Sequence, residues 1–196
     1  MTEQLAAKWD VRYSDAQVGR DRACLALTEN LHLLPKDGVA LDLACGLAAN
    51  ALCLAQYGLN VDAWDLSSIV VEKVQRYAKQ SALPIRCSVR DVIVNPPHAD
   101  QYDAIVVAYF LWRPLFPHLI VALKPGGLLF YQTFTQEKVD GPDSGPSNPD
   151  FCLKPAELLS LCSELEVLVY REEIDQGDLA LGLRNQAMIV ARRPVN

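Results

Sequence analysis

An α/β fold, with a mostly parallel sheet wound on both faces by helices, is the class this sequence predicts. Three observations carry it. Short apolar runs alternate with stretches of helical spacing along most of the chain. An acid stands at or near the end of each of the first three apolar runs, at Asp42, Asp65 and Asp91. The chain then closes on two strand-like runs with no helical pattern between them, a less common ending for an α/β sheet.

The elements follow in order. "VALDLA" (39–44) reads as a buried strand, and the helix over 50–58 ends at Gly58, a suitable C-cap. "NVDAWD" (60–65) is a second strand, and Ser67 caps a helix over 67–82. Strands follow at 84–91 and 102–109, then a helix over 113–123 with proline near its start. A fifth strand over 126–135 is entered through the Pro125-Gly126-Gly127 turn. The segment 136–150 is rich in Gly, Pro, Ser and Asp and reads as a long loop, with 140–150 a candidate lid. A helix over 154–165 and strands at 166–174 and 185–194 complete the chain, the last two paired antiparallel.

Composition bounds the function. At 196 residues, 51 % hydrophobic and 21 % charged, the chain suits one domain with a sizeable core. A net charge of -6 and a pI near 5.0 argue against nonspecific nucleic-acid binding, which needs a basic footprint. No run approaches the roughly 18 apolar residues of a membrane span, and the polar start "MTEQLAAKWD" lacks a secretory h-region, so a cytoplasmic location is expected. The six cysteines contain no C-x-x-C pair and read as free thiols; no metal site is expected.

In a doubly wound sheet, ligands bind outside the carboxyl ends of the strands. There the first strand leads through Asp42 into the turn Ala44-Cys45-Gly46. Asp65 ends the second strand, 23 positions on, close to the spacing at which an acid meets ribose hydroxyls in dinucleotide folds. Asp91 ends the third, where its carboxylate can accept from an adenine amine. A pyrophosphate cofactor asks for G-x-G-x-x-G; positions 44–49 read A-C-G-L-A-A, with Gly46 alone. S-adenosylmethionine, which has adenine, ribose and an amino acid but no phosphate, makes less demand on such a loop.

On these residues the sequence resembles the class I S-adenosylmethionine-dependent methyltransferases, over nearly the whole chain. "LDLACGLAANAL", "VDAWDLS", "RDV", "YDAIVVAYFL" and "LKPGGLLFYQTF" are similar to successive motifs of that family. The opening "KWDVRY" is similar to a segment of small bacterial members akin to tellurite-resistance and thiopurine-type enzymes. The resemblance implies a Rossmann-like, doubly wound seven-stranded sheet, mostly parallel with the last strand antiparallel. It implies a single domain, with 1–35 an N-terminal cap segment and 36–196 the Rossmann-like core. It implies that Asp42 and the backbone of Ala44, Cys45 and Gly46 hold the methionine part, Asp65 the ribose, and Leu66, Asp91 and Val92 the adenine. Ala108 and Tyr109 would line the sulfonium, and Trp9 and Tyr13 would close over the methionine end. Alanine at 48 departs from the family pattern and requires a backbone without positive φ there.

The expected function is methyl transfer from S-adenosylmethionine to a small-molecule acceptor, with no nucleic-acid or membrane partner. Tyr109 and Arg113, just past the fourth strand, are the candidate catalytic or acceptor-docking residues; Arg113 also reads as a helix-start ion pair. Trp112, Tyr131, Gln132 and Thr133 are candidate wall residues. "NPPH" (95–98) precedes the fourth strand, where amino-group methyltransferases carry a similar tetrapeptide after it, and reads as a turn. His32, His98 and His118 read as non-catalytic. Two alternatives stand beside methyl transfer: a non-catalytic S-adenosylmethionine-binding module, and a nicotinamide-dependent oxidoreductase, against which the one-glycine loop speaks.

Overall fold

The computed structural model describes residues 2–139 and 145–195. Seven strands form one sheet: β1 (Val39–Leu43), β2 (Asn60–Asp65), β3 (Ile85–Val89), β4 (Tyr102–Ala108), β5 (Leu123–Phe134), β6 (Glu166–Glu172) and β7 (Gln186–Arg192). Their order is β3-β2-β1-β4-β5-β7-β6. The pairs β3/β2, β2/β1, β1/β4 and β4/β5 are parallel, whereas β7 runs antiparallel to both β5 and β6. The final hairpin therefore inserts its second strand between β5 and its own first strand. Strand order reverses between β1 and β4, and in folds of this kind ligands bind at the carboxyl ends of the strands beside such a switch point.

Alternate residues of each strand enter opposite cores. On β4, Ala104 and Val106 join the side packed by α2 (Leu25–Thr28), α3 (Ala49–Tyr57) and α4 (Ser68–Gln80). Ile105 and Val107 join the side packed by α5 (Phe116–Ala122) and α6 (Glu157–Leu161). The strands buried on both faces are continuous apolar runs for this reason. A further helix, α1 (Thr2–Tyr13), precedes these layers. Among the described residues no helix is long and apolar enough to cross a membrane.

Several elements differ from the expected ones. Pro114 and Pro117 each withdraw a backbone donor, so the expected helix over 113–123 splits into a tight turn, Arg113–Leu115, and α5. The expected helix over 154–165 shrinks to α6, because Ala156 takes a left-handed φ of 56° and the helix starts only after it. β5 begins at Leu123 rather than 126, with a register shift between Tyr102 and Ala104 of its partner. Gly127 is needed within it: a Cβ there would lie 2.9 Å from the carbonyl oxygens of Lys124 and Tyr102. Cys24, Ala26, Leu27 and Leu34, in the expected cap segment, are buried in the core. Of the candidate lid, residues 140–144 lie outside the described residues.

Candidate active site

The turn between β1 and α3 lies at this switch point. It alternates left-handed residues: Ala44, Gly46 and Ala48 have φ of 55°, 51° and 61°. The expectation that Ala48 avoids positive φ is thus overturned. The loop keeps the backbone path of a glycine-rich turn, with alanine at two of its three left-handed positions, each costing roughly 1–2 kcal/mol relative to glycine. Offsetting contacts fix the path. The Ala48 N–H donates to the Cys45 carbonyl at 2.8 Å, and the Cys45 N–H donates to the Trp64 carbonyl on β2 at 2.9 Å. The Ala48 methyl is fully buried.

Ala48 occupies the N-cap position of α3 and offers no side-chain acceptor. Asp42 supplies it from the strand below. Its Oδ2 accepts from the Ala51 N–H at 2.9 Å, and Asn50 Nδ2 approaches Oδ1 at 3.4 Å. Asp42 has no exposed surface, and burial pushes its carboxyl up to about 8. Its carboxyl therefore supports the turn from behind. Asn50 completes the corner by accepting from the Cys24 N–H at 2.9 Å.

Asp65, the last residue of β2, joins the turn to the start of α4. Its Oδ2 accepts from the Gly46 N–H and its Oδ1 from the Ser67 N–H, each at 2.8 Å. Burial raises its carboxyl, and these backbone N–H groups pull it down in part. Leu66 beside it is half-buried. Asp91 lies two residues beyond β3 and accepts from the Ile93 N–H at 2.9 Å, forming a turn of which Val92 is the buried member. Arg90 braces that turn: its guanidinium stacks 3.7 Å over the Trp64 ring and donates to the carbonyls of Asn95 and Pro96. "NPPH" follows that turn, with Asn95 at a bend and 96–98 irregular. His98 and His118 border an open hollow of about 390 Å³ that includes no residue of the Ala44–Ala48 turn.

α1 covers the same turn from above. Trp9 and Tyr13 stack with ring centroids 5.9 Å apart. A Cβ added at Gly46 would stand 3.1 Å from the Tyr13 hydroxyl oxygen. Gly46 is thus favoured by its φ, and a side chain there would press on the tyrosine above it. The fastening of α1, by Asp10 and Lys73 to α4, was not read from the sequence. The helix-forming run "EQLAAKW", free of Gly and Pro, was the available signal for α1; nothing local marks its partners.

At the end of β4, Ala108 is half-buried, and Tyr109 is exposed with φ 57°. The Tyr109 N–H donates to the Gln132 carbonyl at 2.9 Å, and its ring lies 5.3 Å from that of Phe134. Trp112 and Phe151 are also exposed. Tyr131, Gln132 and Thr133 are buried, so they do not form an open wall. Gln132 instead accepts from the Ala26 N–H and donates to Gln186 Oε1. Arg113, the other candidate, makes the helix-start ion pair that was its second reading. Nε and Nη2 hold the Glu157 carboxylate at 2.7 and 2.9 Å, while Nη1 and Nη2 donate to the carbonyls of Asp150 and Cys152. Its donors are engaged in joining the 150–152 segment to α6, and the ion-pair reading is the one the structure bears out.

A family model described as tellurite resistance protein TehB matches residues 27–185. The chain belongs to the TehB family. Among solved structures, TehB from Haemophilus influenzae superposes on this TehB-family chain with a TM-score of 0.71 at 21 % identity, covering 94 % of this chain and 67 % of that one. Geranyl diphosphate C-methyltransferase from Streptomyces coelicolor, solved with S-adenosyl-L-homocysteine, gives 0.68 at 14 % identity over 98 % of each chain. The fold is that of the class I S-adenosylmethionine-dependent methyltransferases, as the resemblance implied. Hemagglutinin 1 of Eikenella corrodens is 32 % identical over 141 residues, covering 68 % of this chain and 46 % of that protein. The ubiquinone biosynthesis O-methyltransferase of Coxiella burnetii is 27 % identical over 101 residues, covering 49 % and 43 %. The TehB-family chain thus spans less than half the length of these relatives.

Proposed function

We propose that this protein is an S-adenosylmethionine-dependent methyltransferase acting on a small molecule. One observation carries the cofactor. A dinucleotide pyrophosphate would need the N–H groups of the turn and of the helix after it. Here the Gly46 N–H is held by Asp65 and the Ala51 N–H by Asp42. Two of these donors are engaged by carboxyl groups of the chain itself, which disfavours a phosphate beside them and suits a ligand with none. Each oxygen of the Asp65 carboxylate retains capacity for a second hydrogen bond, as a ribose diol requires.

In this reading Asp65 holds the ribose, and Leu66, Asp91 and Val92 hold the adenine. The backbone of Ala44, Cys45 and Gly46, supported by Asp42, holds the methionine part beneath Trp9 and Tyr13. Ala108 and Tyr109 border the sulfonium. The bound cofactor supplies a methyl group already activated by positive charge. The chain's task is then orientation and exclusion of water, which needs no dedicated acid or base where the acceptor is nucleophilic at neutral pH. The turn, fixed by backbone hydrogen bonds on both sides, and the aromatic pair of α1 fit that task. On the acceptor side the exposed residues Tyr109, Trp112 and Phe151 are aromatic, and Arg113 is engaged elsewhere, which favours a planar or apolar small acceptor over a docked anion.

Titration calorimetry with S-adenosylmethionine, S-adenosylhomocysteine and NADH tests the cofactor, using wild type and Asp65→Ala. Adenosyl binding that is lost in the variant, with no response to NADH, is the expected result. Binding of NADH alone would replace this reading with an oxidoreductase. Transfer of a labelled methyl group, followed into low-mass, RNA and protein fractions, tests the acceptor. Label in RNA or protein only would sink the small-molecule part, and adenosyl binding without transfer to any acceptor would favour a binding module.

A further inference from the structure

Two polar contacts fasten α1 to α4. Asp10 Oδ1 accepts a hydrogen bond from Ser67 Oγ at 2.5 Å and stands 3.4 Å from the Ile69 N–H. A carboxylate thereby meets the positive end of α4, where first-turn N–H groups lack helix partners. In return, Lys73 Nζ donates to the carbonyls of Tyr13, Ser14 and Ala16 at 2.7, 2.5 and 2.9 Å. An ammonium from α4 thus closes the negative end of α1. Each helix end is met by the opposite charge from the other helix.

These contacts lead to the cofactor turn by two routes. Through the core, Ser67 donates its N–H to Asp65, and Asp65 accepts from the Gly46 N–H. Above the core, the carbonyl that Lys73 holds belongs to Tyr13, whose hydroxyl lies over Gly46. Neither Asp10 nor Lys73 hydrogen-bonds to Ala44, Cys45 or Gly46, so their influence on a ligand there is indirect: the route above the core runs through Tyr13, and the route through Ser67 and Asp65 is open to Asp10 alone. With α1 seated, the Tyr13 hydroxyl lies over Gly46.

We infer that Asp10 and Lys73 are positioning residues that hold Tyr13 over the Gly46 turn and so slow the release of a bound adenosyl ligand. The inference rests on the cofactor reading proposed above. Its test is the dissociation rate of S-adenosylhomocysteine, measured by stopped-flow competition. The proteins are wild type, Asp10→Asn, Lys73→Met, Tyr13→Ala, and each latch substitution combined with Tyr13→Ala. Each single substitution is expected to speed release about tenfold or more, and the double variants are expected to release no faster than Tyr13→Ala alone. Lys73→Arg, which keeps the cation and its donors, is expected to restore slow release. A purely structural role would lower the ligand-free melting temperature without this non-additivity. Unchanged release from the single variants, or rates that multiply in the doubles, would overturn the inference while leaving the cofactor reading intact. Failure of wild type to bind any adenosyl ligand would overturn both.

Discussion

Asp65 Oδ2 accepts the Gly46 N–H at 2.8 Å, joining the end of the second strand to the turn after the first. The same carboxylate holds the Ser67 N–H on its other oxygen, so one buried acid sets the turn and starts α4. Asp65→Asn leaves the shape but replaces one acceptor with a donor that faces an N–H. The expected result is a stability loss of about 1–3 kcal/mol in urea unfolding. Adenosyl binding is expected to weaken at least about tenfold, which is roughly 1.4 kcal/mol. Weaker binding without loss of stability would mean that the two backbone contacts contribute little, and that the acid serves the ligand alone.

The alanines of the turn give a second prediction, with a different size at each position. Ala44 and Ala48 both hold left-handed backbone. Glycine relieves roughly 1–2 kcal/mol of steric cost at such a site, against roughly 0.5–1 kcal/mol of extra chain entropy. Ala44 is half-buried, so Ala44→Gly is expected to stabilise by about 0.5–1 kcal/mol. At Ala48 the fully buried methyl is worth about 0.8 kcal/mol, so Ala48→Gly is expected to be near neutral. Urea midpoints of the two variants at equal m-value check this; an equal gain at both sites would show that the Ala48 methyl is not contributing.

Much of this was legible in the sequence because it is periodic or local. The strands over 39–44, 60–65 and 102–109 are apolar runs buried on both faces, and the Ser67 cap precedes a helix of clear spacing. The three acids were legible as a rim, but not the division of labour among them. Asp42 faces backward because Ala48, the N-cap of α3, carries no acceptor, and the nearest carboxyl on the strand below takes over. That substitution is visible only once β1 and α3 are packed. Arg113 was ambiguous for a similar reason: Glu157 lies 44 residues away. The left-handed Ala48 was misread because residue identity sets a preference for φ, while the surrounding hydrogen bonds decide it.

Arg113 offers a stability test with a pH signature. Hydrogen bonds from its guanidinium hold the Glu157 carboxyl below its ordinary 4.5. A depressed carboxylate contributes stability that is present above about 4.5 and lost as pH falls through its folded value. Arg113→Met is expected to cost about 1 kcal/mol at neutral pH, solvent screening of the partly exposed pair included. The gap to wild type should narrow below pH 4.5. It should also expose the 150–152 segment to limited proteolysis, since two of its carbonyls lose their donor. A gap independent of acid would indicate that the carbonyl contacts, and not the ion pair, carry the effect.

Asp42 carries the opposite sign. Burial raises its carboxyl from 3.8 to about 8, so the folded state holds its proton more tightly than the unfolded chain does. Its stabilising contribution is full below about 4 and is lost as pH rises through about 8. Asp42→Asn removes that titration and retains one acceptor for the Ala51 N–H, while the long contact with Asn50 is given up. The variant is therefore expected to be less stable than wild type at pH 5, and to gain on it steadily as pH rises to 9. Urea unfolding of both proteins across that range reads the difference directly. A difference that does not change with pH would mean that the Asp42 carboxyl titrates outside this window, and that its burial is compensated by more than the two contacts to α3.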